Sequence, residues 1–377
     1  MDPRELFGRD YQEFCESDPF NPNLVEGYIS RRPNQFYGAL LITKVNNHEV
    51  EPQLIMGTPK MNYPFDSRAD GTRNYKFPPT KEIEIYEKLD GTNILAFSYI
   101  DKDGWRYFSY KTRLRPFVSS SRFGDFQNMW LEVVTPPLQA CIKKIMVRNE
   151  CNLSFELYGA RNPHLVVYKD IPLAIALLFG VTNAGNVLPP TVLGTVEPIP
   201  VVKQFSVVTK DYVWNYETLQ KTLEAGLKQE EEGYYSGTEG TVWYLKTLDG
   251  RYIQLKCKPE TIEMIHFSAG AGGLGKNTII ATCWNSYENT DEPTVDFVKE
   301  LLLEEFKPEI IEAHHYLIEK CLDFVKGEQQ FRQDVLSEYK KIGKNILVDK
   351  VSVMRAMSTK FEKARMRKVY GIIKDFG

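Results

Sequence analysis

The chain has 377 residues, of which 42% are hydrophobic and 26% charged, and its formal net charge is −3. That length accommodates one large domain and a smaller one, in the composition range of globular proteins. The charge excludes a protein coated in positive potential, while a local basic surface suffices for nucleic acid.

Residues 1–80 mix aromatics, prolines and polar turns, as in Gly57 to Thr80, GTPKMNYPFDSRADGTRNYKFPPT. Short strands, long connections and no clear helix are predicted, as an N-terminal extension that packs on the next domain. From Lys81 the chain reads as successive strands: Glu82–Leu89, Trp105–Thr112, Leu153–Gly159, Leu173–Val181, Thr241–Thr247 and Arg251–Lys258, the last two joined by a Leu-Asp-Gly turn. Helices are predicted over Leu138–Arg148 and Glu217–Glu232. The fold class is therefore α+β, with antiparallel sheets carrying flanking helices over residues 81–262. A Gly-rich linker, 263–289, leads to a helical C-terminal domain, 290–377. There Phe297–Phe306, Glu309–Val325 and Val351–Ile373 carry apolar residues at three- and four-residue spacing. From Lys340 onward the chain has eleven Lys or Arg against three Asp or Glu. A basic helical end of this kind suits RNA phosphates or a solvated face equally well.

The longest apolar run, Ile171 to Val181, contains Pro172 and is about half the ~20 residues of a membrane span, so no membrane association is expected. The opening MDPRELFGRD has no apolar signal core. Six scattered cysteines form no CxxC pair, which predicts a reducing, cytoplasmic setting and no structural zinc. The adjacent His314 and His315 point about 100° apart on a helix and read as two flank residues.

The sharpest signal is Glu87-Lys88-Leu89-Asp90-Gly91-Thr92-Asn93, a lysine ending a strand at a tight turn. Alone it also fits an exposed hairpin. With its ordered company downstream, it resembles motif I, KxDG, of the covalent nucleotidyltransferase superfamily of DNA ligases, RNA ligases and mRNA capping enzymes. Lys111-Thr112-Arg113 resembles motif Ia and Phe155-Glu156-Leu157-Tyr158-Gly159 motif III. Leu178-Phe179-Gly180-Val181 resembles motif IIIa, with Gly180 in place of the usual acidic residue. Glu239-Gly240-Thr241-Val242 resembles motif IV and Leu255-Lys256-Cys257-Lys258 motif V. The resemblance spans about residues 81–260 and implies an ATP-grasp-like nucleotidyltransferase domain. It implies Lys88 as the catalytic nucleophile and Glu87, Asp90, Gly91, Arg113, Glu156, Phe179, Lys256 and Lys258 as binding ATP. Glu156 would take the ribose and Phe179 the adenine, with Glu239 on the metal.

Residue chemistry is consistent with these roles. Alternation places Tyr252, Gln254, Lys256 and Lys258 on one strand face and Ile253, Leu255 and Cys257 on the other. Glu156 likewise opposes Phe155 and Leu157. A lysine of ordinary pKa ~10.4 is deprotonated in only about one molecule in a thousand at neutral pH. A depressed pKa is therefore expected for Lys88, with Lys256, Lys258 and Mg²⁺ as the neighbouring cations. Carboxylates at Glu239 and Asp90 suit oxygen-ligated Mg²⁺ or Mn²⁺.

Three features favour an ATP-dependent RNA ligase joining 3′-hydroxyl and 5′-phosphate RNA ends through lysyl-AMP and RNA-adenylate. Gly91-Thr92-Asn93 resembles an extension of motif I in one group of RNA ligases, which implies RNA contacts for Asn93, with Arg113 also a candidate for the RNA end. The chain turns helical after motif V, where DNA ligases and capping enzymes usually continue into a β-rich domain. About 87 residues precede Lys88, and Pro59–Phe65 is a candidate part of such an extension. The alternatives are a DNA ligase or capping-type enzyme, and an inactive RNA-binding relative. The sequence leaves open whether the helical tail forms a homodimer, binds RNA or caps the core. Gly270–Asn277, GAGGLGKN, approaches a phosphate-binding P-loop but has Asn277 where Ser or Thr is required, so a flexible glycine linker is the better reading.

Overall fold

The computed structural model describes residues 2–31, 34–67, 72–118, 125–162, 164–194, 198–230, 234–267, 274–303 and 306–376. It opens with a one-turn helix, α1 (Pro3–Phe7), capped by the Asp2 side chain, with Pro3 where a missing N–H is harmless. Strands β1 (Tyr11–Ser17), β2 (Leu24–Ser30), β3 (Leu40–Val45) and β4 (His48–Ile55) form an antiparallel meander in sequence order. The N-terminal residues thus hold a helix and a four-stranded sheet where no helix and only short strands were expected. Phe14, Val25, Ile29, Leu40 and Ile42 from this sheet pack against Phe97, Tyr99 and Phe117 of the following region. The Gln53 amide also pairs with both backbone groups of Ile100. The pair β5 (Phe65–Ser67) and β6 (Arg73–Tyr75) completes this part.

Strands β7 (Thr80–Lys88), β8 (Thr92–Ile100) and β9 (Arg106–Lys111) precede helices α2 (Phe126–Val133) and α3 (Pro136–Asn149). Next come β10 (Cys151–Tyr158), β11 (Ala174–Thr182), β12 (Val187–Leu188), α4 (Pro190–Leu193), β13 (Gln204–Val208), α5 (Tyr212–Gly226), β14 (Lys228–Gln229), β15 (Tyr235–Ser236), β16 (Gly240–Thr247) and β17 (Tyr252–Cys257). They build two antiparallel sheets, ordered β12-β11-β10-β8-β9 and β13-β7-β16-β17. Strand alternation assigns their faces. Ile94, Leu153, Phe155 and Leu157 face outward from the first sheet onto Trp130, Leu138, Ile142 and Ile145 of α2 and α3. Ile83, Ile85, Trp243, Leu255 and Cys257 face outward from the second sheet onto Tyr216 and Leu223 of α5. Each such aliphatic or Phe side chain, fully buried, contributes about 1.5–3 kcal/mol. The inner faces meet through Tyr86, Val242 and Tyr244 on one sheet and Ala176, Phe179 and Val181 on the other. Helix α5 stops at Gly226, not Glu232, because glycine is a poor helix residue and Lys228–Gln229 instead pair with Tyr235–Ser236.

Beyond β17 the described residues contain helices and no strand: α6 (Glu260–Phe267), α7 (Lys276–Ser286), α8 (Val295–Leu302), α9 (Pro308–Ala313), α10 (His315–Ile342), α11 (Lys350–Met357) and α12 (Met366–Phe376). The span 263–289, expected as a linker, is thus largely helical, and its glycine-rich part, 268–273, lies outside the described residues. A helix, α6, precedes that part, so the strand that a P-loop requires is missing. Helix α10 runs well beyond Val325, burying Phe331, Val335 and Tyr339 until Gly343 turns left-handed at φ 65°. The helix predicted over Val351–Ile373 is broken, because Ser358 and Thr359 donate back to the carbonyls of Arg355 and Ala356. The apolar faces of α10, α11 and α12 close on one another through Phe331, Val335, Val353, Met357, Val369 and Ile373. Among the described residues, no helix is long and apolar enough to cross a membrane.

Candidate active site

Lys88 is the last residue of β7, and the register pairs it with Gly240 on β16, while Thr241 pairs with Cys257 on β17. Three neighbouring strand ends therefore deliver Lys88, Glu239, Lys256 and Lys258 to one edge of the sheet. Lys88 Nζ donates to Glu239 Oε2, and Lys258 Nζ lies 2.9 Å from Glu239 Oε1. The Lys88 side chain is 19% exposed and that of Glu239 is 4% exposed, so the pair is sheltered. Lys256 Nζ sits 4.5 Å from the centre of the Tyr63 ring, and its backbone N donates to Asn62 O at 2.9 Å. The Pro59–Phe65 segment thereby docks on the edge of β17.

The turn Leu89–Gly91 carries the chain from this sheet to the other one. A Cβ on Gly91 would lie 2.2 Å from Leu157 O and 2.9 Å from Tyr158 Cβ, so the turn requires glycine for close approach. Gly91 N donates to Glu156 Oε1 (3.0 Å), Val166 N to Asp90 Oδ2 (2.6 Å), and Asp90 N to the Tyr168 hydroxyl (2.9 Å). Glu156 thus braces the lysine-bearing turn directly. Asn93 donates to Ser154 Oγ (2.8 Å) and Phe155 O (3.1 Å) and accepts from Thr58 Oγ1 (2.7 Å). Both its N–H groups are engaged, leaving one lone pair of Oδ1 to offer.

Phe179 is buried beside Tyr244, with ring centroids 6.4 Å apart. The Arg113 guanidinium lies 5.5 Å from the Tyr37 ring centre. Lys111 Nζ donates to the carbonyls of Thr112 and Arg113, 2.8 Å each, fixing the backbone that carries Arg113. Glu87, Lys88, Asp90, Gly91, Asn93, Arg113, Glu156, Phe179, Glu239, Lys256 and Lys258, the predicted site residues, all line one cavity of about 1440 Å³.

The charges interact strongly in this sheltered place. Burial pulls the Lys88 ammonium down, but Glu239, Glu156 and Asp90 together outweigh it and raise its pKa. The depressed value expected from the sequence is therefore not found in the free protein, because three carboxylates surround the amine before any phosphate arrives. Burial alone would push Glu239 up, yet Lys258 and Lys88 hold it well below the carboxylate range. Glu156 is driven up to about 7 by burial, against the pull of Lys88. Asp90 is raised by burial and by Glu239. Among the described residues no group of three or more His, Cys, Asp and Glu could hold a metal ion. The single carboxylate of Glu239 at the lysine end still fits Mg²⁺, which takes one or two carboxylates and fills its shell with phosphate and water oxygens.

The structure adds residues that the sequence did not single out. His164 Nε2 lies 3.1 Å from Glu288 Oε1, and Thr92 Oγ1 donates to that same carboxylate oxygen at 3.0 Å. Leu114 N donates to Asn289 Oδ1 (3.1 Å), and Arg115 pairs with Asp291 (3.3 Å). The segment after α7 thus seals the cavity beside the lysine-bearing turn. Burial works against a charged His164, but Glu288, Asp90 and Glu156 raise it to about 9. No local pattern announces these contacts, since their partners lie about 70 to 200 residues apart.

No protein-family model matches the sequence, and no curated protein matches it. Among solved structures, the chain is similar to an archaeal ATP-dependent RNA ligase (form 2) at 13% identity and a TM-score of 0.48, over 88% of this chain and 78% of that one. Form 1 gives 14% identity and a TM-score of 0.45, over 89% and 78%. A Naegleria gruberi RNA ligase with PPi gives 16% identity and a TM-score of 0.33, over 50% and 53%. These three are two forms of an archaeal ATP-dependent RNA ligase and an RNA ligase of Naegleria gruberi.

Proposed function

We propose that this chain is an ATP-dependent RNA ligase of the covalent nucleotidyltransferase superfamily, with Lys88 as nucleophile. The observation that carries the reading is the buried set of Lys88, Glu239 and Lys258 at the end of one sheet, with Glu156 bracing the turn through Gly91 N and Asp90, within the turn, accepting from Val166 N. Lys88 Nζ attacks the α-phosphorus of ATP, forming a P–N bond as the bond to pyrophosphate breaks. AMP then passes to an RNA 5′-phosphate, and a 3′-hydroxyl displaces it to form the phosphodiester. Lys256 and Lys258 hold phosphate oxygens as charge gathers on them. Glu156 takes the ribose hydroxyls and Phe179 the adenine face. The free Asn93 lone pair accepts from a hydroxyl of the RNA end, beside Arg113. Glu239 is the residue to hold Mg²⁺ or Mn²⁺, which when bound neutralises the triphosphate.

In the free protein Lys88 is an ammonium locked to Glu239. Lys88 would lose its proton once a divalent cation held by Glu239 replaced the ammonium on that carboxylate, since a cation beside it disfavours the charged amine. This order explains how a raised pKa and a nucleophilic amine belong to one enzyme.

Incubation with α-labelled ATP and Mg²⁺ tests the reading. The protein should acquire label, and Lys88→Ala should abolish it while still sealing a pre-adenylated RNA, in which AMP is supplied ready-made. A normal adduct on the Lys88→Ala protein overturns the choice of nucleophile. Labelling only from GTP redirects the assignment to capping, and sealing of nicked DNA without RNA joining redirects it to DNA ligation.

A further inference from the structure

Strand β17 stands at the end of its sheet, so one side of its backbone has no strand partner among the described residues. Residues 254–258 are nonetheless buried, and polar groups on that side must be paired elsewhere. At Lys256 the backbone N donates to Asn62 O at 2.9 Å, and the carbonyl accepts from the Tyr216 hydroxyl of α5 at 3.2 Å. The ladder with β16 stops at the pair Thr241 and Cys257, one residue short of Lys258. There a side chain takes over: Gln220 Nε2 of α5 donates to Lys258 O at 2.8 Å. The same amide nitrogen donates to Glu263 Oε2 of α6 (2.6 Å), and the amide oxygen accepts from Arg73 of β6 (2.6 Å). Arg73 also reaches Glu263 Oε1 at 2.8 Å, which closes the set. Both N–H groups and the oxygen of Gln220 are engaged, so its amide has one orientation. A buried ion pair such as Arg73 with Glu263 gains little net stability, since desolvation offsets the attraction. What the closed set adds is fixed geometry.

Resting on the ligase reading above, we propose that Gln220, held by Arg73 and Glu263, is a positioning residue for adenylation that acts through Lys258. Its bond to the carbonyl fixes the backbone of Lys258 where the ladder has ended, and so keeps Nζ at its 2.9 Å contact with Glu239 Oε1. Arg73, Gln220 and Glu263 are not among the residues lining the cavity, so their effect on the chemistry passes through the lysine. Arg73 lies in the first 80 residues, which makes the N-terminal extension a working part of the nucleotide site.

The test is single-turnover formation of the labelled protein adduct by the full chain across an ATP series. Misplacing a reacting group by about 1 Å can cost about 100-fold, so Gln220→Met, which removes all three contacts at similar length, should lower the rate at saturating ATP about 10-fold. Half-saturation should stay within about twofold of the parent, because Lys258 meets charge that gathers only during transfer. Lys258→Met/Gln220→Met should be no slower than Lys258→Met alone, since nothing is then left to position. Arg73→Lys keeps the charge beside Glu263 without the forked reach, and should lower the rate about threefold even if the methionine variant does not fold. Ile142→Ala, in the core beneath α3, should lower the melting temperature and keep the parent rate, which sets the effect of lost stability alone. A parent-like rate in Gln220→Met overturns the proposal, as does a further 10-fold loss in the Lys258→Met background or an equal loss in Ile142→Ala. Failure of the parent to acquire label strikes the ligase reading instead, so the two failures are told apart.

Discussion

The contact between His164 and Glu288 makes a measurable demand on pH. The two side chains are 10% and 15% exposed and lie 3.1 Å apart, and the imidazole is raised from 6.5 to about 9. A difference of that size between folded and unfolded chains corresponds to about 3 kcal/mol. Because the folded value lies above the unfolded one, the contribution is fully present below about pH 6.5. It is lost as pH rises through about 9. Glu288→Gln keeps the shape of the side chain and removes the strongest of the influences that raise His164, leaving those of Asp90 and Glu156. Denaturant melts followed by tryptophan fluorescence at pH 6, 7.5 and 9.5 should show the parent losing more stability than Glu288→Gln across that window. The gap should approach, without exceeding, about 3 kcal/mol. Subtracting the two profiles removes every other titrating group common to both proteins. Parallel profiles would refute the reasoning, since the raised His164 would then owe nothing to the segment after α7.

The site carries three further expected outcomes. Gly91→Ala places a methyl 2.2 Å from Leu157 O; it should destabilise by about 1–3 kcal/mol and slow adenylation, both read by melts and α-labelled ATP. Lys258→Met removes one of the two ammonium contacts of Glu239 together with the proposed phosphate ligand; adduct formation should fall at least about 100-fold, as when a single transition-state donor is lost. Asn93→Ala should harm end joining of 5′-phosphorylated RNA more than self-adenylation, and equal loss in both steps would contradict its RNA-facing role.

How much of this protein is legible in its sequence depends on how local each feature is. The strands that carry Lys88, Glu156 and Lys256, and those that Glu239 and Lys258 flank, are legible because alternation is a two-residue pattern, and burial on the outer faces enforces it. The N-terminal sheet was obscured because its strands lie among prolines and aromatics, and its core is shared with Phe97, Tyr99 and Phe117, far along the chain. Strand β8, which carries Asn93, is hard to read from sequence because the run TNILAFSYI is nearly all buried and shows little alternation. Helix α10 was cut short because its middle, Gly327 to Gln330, is polar, yet Gln329 is buried there. The raised Lys88 pKa is illegible in the sequence for a related reason. Motif order shows which cations accompany the amine, but only the fold shows that Glu239, Glu156 and Asp90 approach it from two sheets and a turn.

That encirclement bears on how such a site avoids wasteful chemistry. An amine that stayed neutral in the empty cavity would react with any electrophile that entered. Here Glu239 holds Lys88 protonated, and Lys258 shares the same carboxylate, so in the proposed reading a cation that took Glu239 would free both ammonium groups. One ammonium would then be free to take a phosphate oxygen and the other to lose its proton. In that reading binding and activation would be coupled, because the register of β7, β16 and β17 sets their ends side by side.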